Sequence, residues 1–433
     1  MPVKWTVSQV HGEGRAESES AARHRHTPFE VIFATYWFFA FALLLLPLYW
    51  LARNPKARLA ILVTGCAVFH CHFAGSAGVL PILALGCAVY FAGLRESKWS
   101  NGLAIALCVM ALIVYKYSGF VIGSIFGTDG KSGAHLAALA KGLLPAAPPL
   151  AISFFTFEFV HYLLDRRKGR PAITRPVDFL AFTIFFPSLV AGPIKRYEDF
   201  LPSLYEGLAK VSSRDVMTGM IQLSLGFMKK LAADNLTLWI ERYDSDFVHL
   251  PIGQRWAVFA GIGFRILFDF SGYSDIAIGL ARMLGVRLPA NFNWPYLAAN
   301  LGEFWRRWHI SLSAWIRDYI YIALGGNRYG AGRKMLNCVI AFALCGLWHG
   351  PAWNFVVWGL LHGFGLVVSN AYSKIPFGVG AWLARFFQRS PVLSWALNLM
   401  FVWLTWLVFF YPVDTALKMA ISLFRVTIRV TIS

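Results

Sequence analysis

The chain has 433 residues, 57% of them hydrophobic and 14% charged, with 37 Phe and 17 Trp. Soluble domains carry about a quarter charged residues, so this composition excludes a water-soluble globule and requires lipid as the solvent. The 40 Lys+Arg against 22 Asp+Glu, a net charge of +18, would suit nucleic acid in a soluble protein. Here the basic residues cluster in short loops between apolar runs, the pattern of cytoplasmic loops against anionic lipid, and no nucleic-acid partner is expected.

The first 28 residues are polar, lack an apolar core of the signal-peptide kind, and read as a disordered tail ahead of one membrane domain spanning 29–433. Runs of about 20 apolar residues cross the hydrocarbon core, and long continuous runs favour helices over a barrel. The fold class predicted is therefore an all-α polytopic integral membrane protein. Val31–Leu51 forms the first crossing, followed by Arg53, Lys56 and Arg58. Leu59–His72 then turns at Gly75-Ser76-Ala77-Gly78 into Leu80–Leu94, which ends in Arg95-Glu96-Ser97-Lys98. Two basic loops flank a neutral one, which puts the N-terminus on the outer face.

Leu103–Ile125 runs outward to the weakly charged Gly127–Gly133, and Ala151–Leu164 returns to the basic stretch Asp165–Arg170. Phe179–Ala191 ends at Gly192-Pro193 and reads either as a crossing or as a re-entrant hairpin buried in protein. Val216–Phe227, followed by Lys229-Lys230, is a further apolar run. Trp256–Leu284 is another, interrupted by Arg265, Asp269, Ser271, Ser274 and Asp275. Leu288–Arg333 has too many charges for lipid and too many aromatics for a solvated loop, so it lies at the interface or folds inward as amphipathic helices. Met335–Trp348, Trp353–Val368, Leu393–Tyr411 and Ala416–Val430 close the chain, and no internal repeat of the transporter kind is visible.

Six cysteines without CxxC spacing read as packing residues, Cys345 included, although it stands one helical turn before His349. His349, in Gly346-Leu347-Trp348-His349-Gly350, heads a Trp-rich segment free of Asp, Glu, Lys and Arg until Lys374. An imidazole titrates nearest neutrality, and at lipid depth an ionisable residue is by default functional. Gly350 beside it leaves room for a close neighbour. His309 stands in Phe304-Trp305-Arg306-Arg307-Trp308-His309-Ile310-Ser311-Leu312-Ser313. Helical spacing would put Arg306, His309 and Ser313 on one face, with Arg317 beyond. Trp, Arg and Tyr are also routine interfacial anchors, so Arg307, Trp308 and Trp315 carry that plainer reading as well. His362 sits between the two readings, function and packing. No HExxH or comparable ligand spacing occurs, so no metal is expected, and there is no GxSxG elbow.

Several ordered runs resemble the membrane-bound O-acyltransferase family. They are Phe268–Gly279, Phe304–Ser313, Arg317-Asp318-Tyr319-Ile320-Tyr321, Leu324-Gly325-Gly326-Asn327-Arg328 and Leu347-Trp348-His349-Gly350, preceded by Ile152–Phe157 and Phe186–Pro193. The similarity covers about 151–363, while the first 150 residues agree only in hydropathy. The double glycine and Trp353-Asn354 resemble the bacterial branch that includes the alginate O-acetyltransferase membrane subunit. Departures are Glu158 where that branch usually has glutamine and Ala323 where it usually has proline.

The resemblance implies a ring of ten or more transmembrane and re-entrant helices around a central tunnel in a bacterial inner membrane. It makes His349 the catalytic histidine and His309 the second characteristic one, nearer the donor. Acetyl-CoA or another acyl thioester becomes the expected donor, with no permanently bound cofactor. Arg306, Arg307 and Arg317 are candidates to pair with its phosphates, and Trp348, Asn354, Asp269 and Ser313 join the substrate-binding set. The expected partners are the lipid bilayer, a periplasmic SGNH-type acetyltransferase or esterase-like protein, and polysaccharide synthesis machinery. The activity expected is O-acetylation of an exported polysaccharide of the alginate, cellulose or peptidoglycan kind. Two rivals are D-alanyl or other acyl transfer on the same scaffold, and a proton-coupled transporter or exporter. Against the last stands the shortage of intramembrane acids beyond Glu158, Asp269 and Asp275.

Overall fold

A computed structural model describes residues 32–126 and 148–425; the polar 1–28 tail, the Gly127–Gly133 stretch and the end of the last apolar run lie outside the described residues. The described chain is helical, with no strand among the described residues. The first part comprises α1 (Tyr36–Leu51), α2 (Pro55–Leu94) and α3 (Lys98–Leu112), the last continued through a π-helical turn, Ile113–Tyr117, into α4 (Ser118–Phe126). The returning helix is α5 (Ile152–Arg167). Thr35 starts α1 by accepting the Phe38 N–H on its hydroxyl.

α2 has 40 residues, about 60 Å if straight and twice the hydrocarbon thickness. Gly75 breaks it at φ 63°, a conformation that side-chain-bearing residues rarely adopt. The first limb lies along α1, with the His72 ring stacked on Trp37 at 3.8 Å. The second lies beside α5, where Arg166 Nε donates to the Gly93 carbonyl at 2.7 Å. The turn expected at Gly75–Gly78 is therefore real, and Gly78 abuts Leu150 at the start of α5.

Basic residues gather at the opposite end. Arg58 donates to the Leu208 carbonyl at 3.1 Å, Tyr90 to that of Thr174 at 2.6 Å, and Arg175 to the Tyr205 hydroxyl at 2.6 Å. The bundle thus has a basic end and a far end.

The Phe179–Ala191 alternative resolves against a crossing. α6 (Pro176–Thr183) has eight residues, about 12 Å of helix, and the chain then continues through a single 3-10 turn, Phe186–Ser188, and irregular backbone that bury Phe185, Phe186, Leu189 and Val190. Irregular backbone at membrane depth is tolerated only inside protein. Lys195 closes the segment with a buried ion pair to Glu158, Nζ to Oε1 at 2.5 Å.

α7 (Tyr197–Ala209) lies across the basic end, and α8 (Ser213–Glu241) and α9 (Ile252–Met283) form the longest packed pair. These absorb the separate runs expected from hydropathy. Lys229 pairs with Asp275 at 2.5 Å and Lys230 with Asp269 at 2.7 Å, so the charges that interrupt each run meet across the pair. A Cβ at Gly226 would stand 2.7 Å from the Gly272 carbonyl oxygen; small residues let the two backbones touch.

The middle of Leu288–Arg333 folds inward, while Asn327–Arg333 stays exposed. α10 (Leu301–Arg307) and α11 (Ile310–Ile316) bury Trp305, Trp308, Leu312 and Trp315. α12 (Gly330–His349), α13 (Trp353–Ala371), α14 (Val379–Arg389), α15 (Pro391–Phe410) and α16 (Val413–Ser422) complete the ring. Among the described residues, five helical stretches are long and apolar enough to cross a membrane: Pro55–Leu94, Lys98–Ile125, Gly330–His349, Trp353–Ala371 and Pro391–Phe410. The protein is a polytopic helical membrane protein.

Candidate active site

α12 starts beside the basic end and runs 20 residues, about 30 Å, to His349. Gly350 stops it in extended backbone, and the Phe355 ring packs so tightly there that a Cβ on Gly350 would collide with it. His349 therefore projects, half-buried, into a far-end cavity of about 1090 Å³. Its ring meets those of Trp358 and Phe409 edge-on, with centroids 5.2 Å apart in each case. Trp348 and Asp269 line the same cavity, Asp269 already paired with Lys230. Lys116 and Arg265 add positive charge to the wall, Arg265 resting over the Phe410 ring at 4.9 Å.

A second cavity of about 430 Å³ lies between α10, α11, α12 and α13, toward the basic end. Arg306, Ser313 and Arg317 line it, joined by Lys334, with Trp305, Phe342 and Cys345 deeper in. Trp305 faces the smaller cavity and Trp358 the larger, and their ring centroids are 5.9 Å apart. The expected central passage is thus two cavities that approach each other across an aromatic partition.

His309 lines neither cavity and is fully buried. The single helical face expected for Arg306, His309 and Ser313 does not form. Trp308 is extended and His309 left-handed, φ 41°, so the chain breaks between α10 and α11. Asn291 holds the ring in place. Its Oδ1 accepts from the Ser311 N–H at 3.2 Å, which fixes the amide's orientation, so His309 Nδ1 must donate to it at 3.1 Å. His309 Nε2 is then a bare lone pair, buried and without a partner.

Besides His309, two further candidates stand outside both cavities. Arg307 is held by Glu303 at 2.6 Å, and the Ala299 N–H, together with Arg307, keeps that carboxyl below its usual range. Asn354 donates to the Val408 and Phe409 carbonyls at 3.3 and 3.1 Å, joining α13 to α15. His362 is saturated as a packing residue. It accepts from Trp305 Nε1 at 3.2 Å and contacts the Thr405 hydroxyl at 2.9 Å.

The model of MBOAT, the membrane-bound O-acyltransferase family, matches residues 149–413. This chain belongs to that family. It is 35% identical to the "Probable alginate O-acetylase AlgI" of Azotobacter vinelandii over 77% of this chain and 67% of the relative. It is also 35% identical to a peptidoglycan O-acetyltransferase of Helicobacter pylori, over 83% of this chain and 72% of the relative. A teichoic acid D-alanyltransferase of Streptococcus thermophilus is 28% identical over 65% of this chain and 66% of that protein. The chain spans 60% of the Pseudomonas aeruginosa protein named as a probable alginate O-acetylase.

Within this acyltransferase scaffold, sequence reasoning missed Asn291, Ser311, Lys334 and Lys116. Asn291 lies 18 positions before His309, and no local pattern links them. Ser311 is two positions from His309 and was visible, but its link, accepting from the Ile194 N–H at 3.0 Å, depends on a distant segment. Lys334 carried a usable signal, a cation in the first turn of the helix that ends at His349. Lys116 lies outside the family match altogether.

Proposed function

We propose that this family member transfers an acetyl group from a thioester, acetyl-CoA by preference, to a hydroxyl acceptor on the opposite face of a bacterial inner membrane. The basic end is the cytoplasmic one in this reading, as cation-rich loops are in inner-membrane proteins. The donor's phosphates meet Arg306, Arg317 and Lys334, and its acyl thioester reaches toward the aromatic partition. The acceptor enters the far-end cavity. His349 removes its proton, the oxygen attacks the thioester carbonyl, the C–S bond breaks, and the leaving sulfur recovers the proton from the imidazolium. A neutral imidazole in a partly dry cavity is suited to this near neutral pH. His309, its tautomer held by Asn291, orients the reacting groups behind the partition.

The observation that carries this reading is the pair of cavities meeting at Trp305 and Trp358, one rimmed by cations and the other holding His349. The likeness to proteins named for alginate and peptidoglycan acetylation supports an exported polysaccharide as the final acceptor. It also supports a periplasmic SGNH-type partner and the polymer's synthesis machinery as neighbours. Labelled acetyl-CoA, offered to the purified protein against a D-alanyl-charged carrier protein, tests the donor. Label should pass from acetyl-CoA alone; transfer of D-alanine instead would move the chain to the other acyl class.

A further inference from the structure

The π-helical turn Ile113–Tyr117 points two polar side chains at the end of α12. A helix leaves its last carbonyls without intrahelical partners, and cations are favourable at that end. Tyr117 donates to the Leu347 carbonyl at 2.8 Å. Lys116 donates to the carbonyl of Trp348, the residue before His349, and to the Ser153 hydroxyl at 3.1 Å. An ammonium has three donors, and these contacts use two. Lys116 has no carboxylate partner among the described residues, unlike Lys229 and Lys230, which pair with acids. It lines the far-end cavity together with His349 and Ser153.

We propose that Lys116 is a catalytic residue of the transfer: its remaining N–H donates to the thioester carbonyl oxygen as that oxygen becomes an oxyanion. This rests on the acyl-transfer reading above. When the acceptor oxygen bonds to the carbonyl carbon, the π electrons move onto the carbonyl oxygen; when they return, the C–S bond breaks and the sulfur leaves with its electron pair. A fixed positive donor, already oriented beside the base, stabilises that charge without reorganising. The anchor on Trp348 ties donor and base to one helix end, so both keep one geometry relative to the carbonyl.

The test uses the full chain in proteoliposomes, with acetyl-CoA as donor, glycerol as the hydroxyl probe, and thiol release as the readout. His349→Ala must abolish the release; equal rates in wild type and His349→Ala would reject both the acyl-transfer reading and this assignment. Given that control, Lys116→Met should lower kcat about 10²- to 10³-fold, the scale of one lost oxyanion donor, at unchanged KM for acetyl-CoA. Lys116→Arg should recover part of the loss. Tyr117→Phe removes a neighbouring cap but no charge and should stay within about threefold of wild type. A Lys116→Met rate within about threefold of wild type, or an equal loss in Tyr117→Phe, overturns the assignment and leaves the acyl-transfer reading intact. Should Lys116→Met not accumulate, Lys116→Gln keeps a donor for the Trp348 carbonyl without the charge and carries the same limits.

Discussion

The two cavities are built from opposite electrostatic plans. The smaller is rimmed by Arg306, Arg317 and Lys334, with Ser313 and Tyr321 as its hydroxyl-bearing residues and no acid in its lining. The larger holds Lys116, Lys230 and Arg265 against Glu241, Asp244 and Asp269, so its charges nearly balance. A rim of three cations, of which among the described residues only Arg317 already meets a carboxylate, Asp318 at 2.7 Å, above an apolar floor suits a polyanion with a small uncharged tail, as an acyl thioester of a phosphorylated carrier is. A large, charge-balanced cavity lined by Trp, Phe and one free imidazole suits a neutral hydroxyl compound. The difference teaches that, in the proposed reaction, donor and acceptor meet where the two come within one pair of tryptophans of each other.

That contrast can be broken most sharply at His349. His349→Ala should remove polymer acetylation, with a loss of about 10²- to 10⁴-fold, the range for a general base, while protein abundance stays normal. Retained acetylation would end its role. Asn291 comes next: Asn291→Leu leaves the buried His309 ring and Ser311 without their acceptor, a cost of about 1–3 kcal/mol. If that cost falls on the reacting geometry, turnover drops about 10- to 100-fold at unchanged donor KM. A change in KM alone would place His309 with the donor instead.

The smaller cavity should answer in KM rather than kcat. Arg306→Gln removes a charged donor worth about 1.5–3 kcal/mol and should raise the acetyl-CoA KM about tenfold or more, and Arg317→Gln, whose Nε is already bonded to Asp318, should raise it by less. Arg307→Gln, already spent on Glu303, should change it by less than about twofold, the usual yield of an i,i+4 pair. Equal effects from all three arginines would show a diffuse field rather than a site. The smallest effect belongs to Asn354→Ala. Losing two hydrogen bonds between α13 and α15 should lower stability in detergent by about 1–2 kcal/mol, with activity close to wild type.

Much of the fold was legible along the chain because the bilayer imposes a local rule. A run of apolar residues reveals a candidate crossing without reference to its neighbours, and the turn at Gly75 and the apolar helices Pro55–Leu94 and Lys98–Ile125 follow from that rule. The rule failed where protein, not lipid, surrounds the backbone. Phe179–Ala191 is as apolar as a crossing, yet its α-helix stops at Thr183 and the rest packs as a 3-10 turn and irregular chain near the buried Glu158–Lys195 pair. Helical periodicity failed at Trp308-His309, where a left-handed residue breaks the face that spacing alone would assemble. Lys229 and Lys230 looked like the end of a membrane run, but acids from α9 let the helix continue through them.

The amino-acid sequence by itself determined that this is a helical membrane protein of the O-acyltransferase kind and that His349 belongs to one of its apolar segments, since hydropathy and motif order are properties of short stretches. Only the tertiary structure decided which cations are free and which are spent. It set Arg306 and Lys334 on a cavity, tied Arg307 to Glu303 and bonded Arg317 to Asp318 at the cavity's edge; it also brought Lys116 to the helix end 232 positions away. The reason is that a charge in low dielectric is defined by its nearest partner, and that partner is chosen by packing, not by distance along the chain.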